Sequence, residues 1–143
     1  MLSKKTKYAI SALIYLAKAK GNDPVPAKQI SADQHIPHKF LEGILLDMKH
    51  AGFIMSQQGK FGGYYMSRSP EEINLADVMR LFDGAVALLP CVTHRYYKRC
   101  EECIDEETCG IRQVFLEIRN ETVERLKAAS LAEVIRREST PNG

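Results

Sequence analysis

Residues 36–67, IPHKFLEGILLDMKHAGFIMSQQGKFGGYYMS, decide the architecture. Phe40, Leu41, Ile44, Leu45 and Met48 recur at three and four residues, which is the spacing of one apolar helix face. His38, Lys39, Glu42, Asp47 and Lys49 are left for the other faces. Pro37 suits the first helical position, where its missing N–H costs nothing, and Gly52 suits a left-handed cap at the far end. Phe53–Ser56 and Tyr64–Ser67 then read as two strands joined by the glycine-punctuated turn QQGKFGG, residues 57–63. Gly62 and Gly63 are the expected positions of positive φ in that turn. The stretch is a polar-faced helix followed at once by a β-hairpin.

Working upstream, residues 27–34 form a short helix anchored by Ile30 and broken at His35-Ile36. Two helices, a tight break and a polar face on the second make a helix-turn-helix. In that arrangement the second helix enters the DNA major groove and its N-terminal residues reach the base edges. Those residues are Pro37, His38, Lys39 and Glu42, with Lys28 and Gln29 at the start of the preceding helix as further candidates. A glutamate accepts from cytosine N4, and a lysine donates to guanine or phosphate. The same residue types also suit the solvated face of an ordinary surface helix. The hairpin makes the DNA reading the stronger one, because it is placed as a wing. Lys60 is then set for a phosphate and Gln58 for a groove edge.

Further upstream, Tyr8, Ala12, Leu13, Leu16 and Ala17 form a helical stripe in a first helix over 3–20, capped by Ser3 or Thr6 and stopped by Gly21. Asn22-Asp23-Pro24 is a turn. Lys4, Lys5 and Lys7 before an apolar stretch outline a crude signal peptide. Ser11 and Tyr15 interrupt that stretch, so it is read as a core helix. No run approaches the ~18 apolar residues a membrane span needs, and the chain is expected to be cytoplasmic, without a membrane partner. The net charge is +2 over 143 residues. Residues 1–68 carry nine lysines and one arginine against four acidic residues, a balance of +6 that leaves −4 for the remainder. A basic N-terminal half suits a polyanion partner.

Downstream of the hairpin, Asn74 and Asp77 form a capping box, with Ile73 and Val78 as a hydrophobic staple. Val78, Met79, Leu81 and Phe82 supply that helix's core face, and Gly84 ends it. All four cysteines follow within Cys91–Cys109 as C-x8-C-x2-C-x5-C. In a cytosolic chain, clustered thiols are more often metal-binding or redox-sensing than disulfide-bonded. They suit an iron–sulfur cluster, [2Fe-2S] or [4Fe-4S], or zinc, and a metal-free thiol switch stays open. Arg95, Lys98, Arg99 and Arg112 flank them and are expected to lower thiol pKa. After Cys109, Ile111, Val114, Phe115, Ile118, Val123 and Leu126 make an apolar stripe on a long helix outside the winged unit. A second copy of the chain is the simplest cover for it. Ser130 and Glu133 cap a last short helix, and the tail 139–143 is expected to be disordered.

The fold expected is mainly α with a small β-hairpin wing. It comprises a winged helix-turn-helix over 1–84, a cysteine-rich sensor loop over 85–110, and a dimerisation helix with a short terminal helix over 111–138. No phosphate loop, nucleophile elbow or zinc-protease histidine pair is present, which argues against an enzyme. The rivals are a cluster-free thiol- or ligand-sensing regulator of the same fold, a zinc-stabilised interaction module built on the same winged helix, and an enzyme using Cys91 and His94, which lie close in sequence, as nucleophile and base.

Four segments together resemble the Rrf-type family of bacterial winged-helix regulators, which includes IscR, NsrR and CymR. They are KKTKYAISALIYLA (4–17), IPHKFLEGILLDMKHAGFI (36–54), GKFGGYYMSRSPEEINLADVMRLFDG (59–84) and CGIRQVFLEIRNE (109–121). The resemblance implies a homodimeric transcriptional repressor or activator on a palindromic operator in double-stranded DNA, with RNA polymerase a further candidate partner. By position it puts His38, Lys39 and Glu42 on the base-contacting surface, and Gln58 where several relatives have a minor-groove arginine. It also implies cluster ligands at Cys91, Cys103 and Cys109, although the first gap is longer here and Cys100 is extra. The fourth ligand would be Cys100 or, alternatively, His94. Lys7 stands where some relatives recruit an acidic ligand, which favours a ligand set contained in the loop.

Overall fold

The computed structural model describes residues 2–19, 23–84 and 86–139. The expected stop at Gly21, Asn22 of the turn, Ala85 of the linker and the tail from Thr140 lie outside them. Six α-helices and one hairpin follow in chain order among the described residues: α1 (Lys4–Lys18), α2 (Ala27–Gln34), α3 (His38–His50), β1 (Ile54–Gln57), β2 (Gly63–Met66), α4 (Leu75–Phe82), α5 (Gly110–Ala128) and α6 (Leu131–Glu138). A single 3-10 turn, Pro90–Val92, lies between α4 and α5.

Side-chain caps start α1, α4 and α6. Ser3 accepts from the Thr6 N–H at 3.1 Å, Asn74 from Asp77 at 3.0 Å and Ser130 from Glu133 at 3.1 Å. Thr6 itself is buried in α1 and does not cap it. Pro37 is the residue before α3 rather than its first helical residue; its carbonyl accepts from Leu41 N–H at 2.9 Å. Gly52 ends α3 at φ +83°, in the left-handed region.

The core is built by α1–α3 and the base of the hairpin. Ala9, Ala12, Leu13 and Leu16 of α1 meet Ile30 of α2 and Leu41, Ile44, Leu45 and Met48 of α3, with Ile36, Phe53, Ile54, Ile73 and Val78 around them. Two expected core residues lie elsewhere. Phe40 is exposed and meets Tyr8 edge-on at 5.7 Å, and Leu81 is exposed on α4.

The strands pair antiparallel, Ile54 opposite Met66 and Gln57 opposite Gly63, so β1 reaches one residue further than expected. The hairpin is anchored by Val25, which exchanges both backbone hydrogen bonds with Tyr64 at 2.8 Å. Gly63 permits this approach: a Cβ there would lie 2.4 Å from the Val25 carbonyl oxygen, and its φ is +152°. Gly62 has no positive φ; it is needed because a Cβ would strike the Gln57 carbonyl oxygen at 2.3 Å.

α6 belongs to the same core. Leu131 is fully buried in it, and its N–H donates to Ile73 O at 2.8 Å, while Leu75 N–H donates to Ala129 O at 3.0 Å. α5 is the opposite case: of its nineteen residues only Val123 is buried. No described helix is long and apolar enough to cross a membrane.

Candidate functional site

The turn between α2 and α3 is closed locally. His35 takes the left-handed conformation at φ 54°, Ile36 N–H donates to Ser31 O at 3.1 Å, and the Ser31 hydroxyl donates to Ile36 O at 2.5 Å. This presents Pro37, His38, Lys39 and Glu42 together at the exposed start of α3. His38 Nε2 lies 2.9 Å from Glu42 Oε1, one helical turn on, so these two expected base readers hold each other. Lys39 has no such partner among the described residues. Lys28 and Gln29 are exposed on α2. Gln29 donates to the Tyr15 hydroxyl at 3.1 Å, and Tyr15 donates to Asp33 at 2.5 Å. The Asp33 hydrogen bond holds the Tyr15 phenol above its ordinary pKa. Gln58 and Lys60 stand exposed at the hairpin tip, as a wing requires. Phe61, beside them, is 81% exposed with Lys60 Nζ 5.7 Å from its ring centre. Sequence reasoning missed Phe61. The available signal was a bulky aromatic between Lys60 and two glycines, in a turn too tight to bury it.

The cysteines divide by environment. Cys91 is buried in the 3-10 turn, Cys103 and Cys109 are half-buried, and Cys100 is exposed; all four are free thiols. Cys91, Cys100 and Cys109 line one cleft of about 370 Å³ together with Arg112. Arg112 Nε is buried and has no hydrogen-bond partner among the described residues. Cys109 is also the N-cap of α5, its Sγ accepting from Arg112 N–H at 3.4 Å. Cys103 does not line the cleft. Its N–H donates to Cys100 O at 3.1 Å, and the Arg99 guanidinium donates to the Cys103 and Ile104 carbonyls at 3.4 and 3.3 Å. His94, the alternative fourth ligand, lines a separate cleft. Among the described residues no group of three or more His, Cys, Asp or Glu side chains is gathered around a single-ion position.

Cys100 runs against the expectation that the flanking cations lower thiol pKa. Cys100 donates to Glu102 at 3.0 Å, and this hydrogen bond to a carboxylate pushes the Cys100 thiol up rather than down. The same bond holds Glu102 below the usual carboxylate range. Nearby, Tyr97 donates to Glu106, which raises its phenol.

A protein of Rhodobacter capsulatus named as an rrf2-like HTH-type transcriptional regulator is 38% identical over 121 residues, covering 82% of this chain and 81% of its own. The solved structure of CymR, described as the global cysteine regulator of B. subtilis, superposes with a TM-score of 0.78 at 24% identity, covering 95% of this chain and 96% of its own. That of T. potens IscR gives 0.76 at 23% identity, covering 100% and 93%. Both share the winged-helix fold. The Rrf2 family, described as iron-dependent transcriptional regulators, matches residues 2–137. The winged reading head, the sequence relatives and a match spanning nearly every residue agree: this chain belongs to the Rrf2 family of DNA-binding transcriptional regulators and is not an enzyme.

Proposed function

We propose that this regulator works as a homodimer whose operator affinity is set by an iron–sulfur cluster in the Cys91–Cys109 segment. One observation carries the reading: three cysteines and Arg112 line one cleft against the first turn of α5, and the buried Arg112 Nε has no hydrogen-bond partner among the described residues. Thiolates are soft donors suited to iron–sulfur chemistry, and a buried N–H donor without a partner suits the sulfurs of a bound cluster. Cys91, Cys100 and Cys109 would hold the group from the cleft. Cys103, on the same short loop, would complete an all-cysteine set. When bound, the cluster would supply a centre sensitive to oxidants, iron supply or nitric oxide.

The chain's own residues carry the coupling. Cys109 caps α5, so ordering of the loop and ordering of the helix start are one event. Ile111, Val114 and Ile118 are 67%, 53% and 41% exposed along that helix, a stripe that a second copy would cover. The α5 position in a dimer would set the separation of two α3 helices, and engaging two half-sites at once depends on that separation. At each half-site Lys39 and the His38–Glu42 pair would face base edges, with Pro37 at the helix start. Lys28 and Gln29 would flank them, and Gln58 and Lys60 would reach the adjoining backbone from the wing.

The test is anaerobic purification followed by visible spectroscopy and iron and sulfide analysis, on wild type and on Cys109→Ala. A brown wild-type protein with matched iron and sulfide, and a colourless variant, is the expected result. Full visible absorbance retained in Cys109→Ala would refute the ligand assignment. A wild type still colourless after anaerobic reconstitution would replace the cluster by zinc or a thiol switch.

A further inference from the structure

The second cleft, where His94 lies, has no role in the reading above. It measures about 760 Å³ and is formed by the base of the hairpin, the α4 flank, the 93–96 arm and the middle of α5. Four arginines from four different segments line it: Arg68, Arg80, Arg95 and Arg119. Asp77 is the one carboxylate among its lining residues. Among the described residues, none of the four guanidinium groups forms an ion pair with a carboxylate. Arg119 instead donates to the neutral Asn120 Oδ1 at 3.0 and 2.7 Å, and Arg68 lies 5.6 Å from the ring centre of Phe53.

We infer that this cleft is a binding site for a compact polyanion, of phosphate or polycarboxylate class, which acts as an effector of operator binding. Four arginines lining one concavity bring like charges near one another, and a single carboxylate leaves most of their repulsion unrelieved. Guanidinium groups present planar forks of donors that match phosphate and carboxylate oxygens in pairs. The cleft has the volume of a small-molecule site, within the range of about 300–1,000 Å³. Its shape selects a small anion over a duplex, because the arginines line a concavity rather than forming a row on a convex face.

Local packing holds the walls in place. A methyl at Gly84 would come within 3.1 Å of Tyr96 Cε2, so that ring rests on the end of α4 and sets the arm that carries Arg95. Phe53, under Arg68, is buried at the root of the wing. An anion held here would touch the reading head through Arg68 and Arg80, and the long helix through Arg119. It would bias their relative placement without contacting the cysteine cleft.

The experiment is isothermal titration calorimetry of the full-length protein with sodium pyrophosphate, at ionic strength held constant with sodium chloride. Saturable binding to a single class of sites is expected, weakened about tenfold or more in Arg80→Gln and in Arg119→Gln, as for loss of a charged hydrogen-bond donor. Lys39→Ala should bind pyrophosphate like wild type while losing operator affinity, which separates this site from the reading helix. Pyrophosphate should also shift operator affinity in wild type and leave Arg80→Gln unmoved. Heat that follows ionic strength without saturating, full binding in both arginine variants, loss of binding in Lys39→Ala, or an operator affinity indifferent to pyrophosphate would each overturn the proposal.

Discussion

Lys39 and Glu42 stand one turn apart in role as well as in space. Glu42 lies against His38 Nε2 at 2.9 Å, whereas Lys39 is exposed without a partner among the described residues, so only Glu42 must exchange a protein contact for a base. Replacing either residue by alanine should weaken binding to a mapped operator by ~1–3 kcal/mol, the range of one good base contact, while the hydrodynamic size stays constant. Unchanged binding in an electrophoretic shift assay would remove α3 from the groove. Gly63 offers a test of folding at the same scale. Its Cβ position is occupied by the Val25 carbonyl, and its φ is positive, so Gly63→Ala should destabilise by more than ~1 kcal/mol in urea unfolding. Gly59→Ala is the comparison, because that site has positive φ but open space around it. A Gly63→Ala loss no larger than the Gly59→Ala loss would show that the Val25 contact yields easily. The sequence marked Gly62 and Gly63 as special but could not separate their reasons. One avoids a neighbour within the turn, and the other avoids the bridge made by Val25, far upstream in the chain, which no local pattern encodes.

At the scale of elements, apolar faces and caps are local signals and located α1, α3, α4, α5 and α6, whereas α2 rests on Ile30 and the break after it, and the 3-10 turn at Pro90–Val92 lies within what reads as loop. The cysteine segment had neither, and there the spacing C-x8-C-x2-C-x5-C said which thiols exist but not which share a cleft. Turns at Asp105–Thr108, held by Asp105 accepting from Glu107 N–H and the Thr108 hydroxyl at 3.0 Å, help set where Cys103 and Cys109 point. α6 gives a prediction in pH. Glu133 accepts from Arg136 at 2.6 and 2.8 Å and from Arg137 at 2.8 Å, and these bonds hold its carboxyl down at about 2, from an ordinary 4.5. A depressed acid contributes stability above its unfolded pKa and loses it as pH falls through the folded value. Glu133→Gln should therefore melt below wild type at pH 7, with the gap closing between 4.5 and about 2. A gap independent of pH, followed by circular dichroism, would mean that the arginine pairs are not its source.

At the scale of the whole molecule, α5 is left with an exposed stripe, and a monomer has nothing to put against it. Ile118→Asp should shift the protein to a monomer in analytical ultracentrifugation and cost operator affinity, while the helical signal per chain stays constant. A variant that stays dimeric would move the interface off this face. The apolar stripe was legible in sequence because it lies on one helix. The return of α6 was not. Ser130 and Glu133 announced a helix, but nothing near them announced that Leu131 would fill the core of the reading head.

That return has a topological consequence. The chain leaves the head at Gly84 and re-enters it at Ala129–Leu131, where the backbones of residues 73–75 and 129–131 are bonded together. Everything between, the thiol loop and the long helix alike, is therefore an insertion tethered at both ends rather than a module hung from one. A pull on either end of the insertion is felt by the head at two anchors, so a signal need not travel along a free linker. By the same token the head is not a portable fragment: a chain cut after Gly84 would lack the plug that closes its core, while a chain nicked inside the loop would keep both anchors.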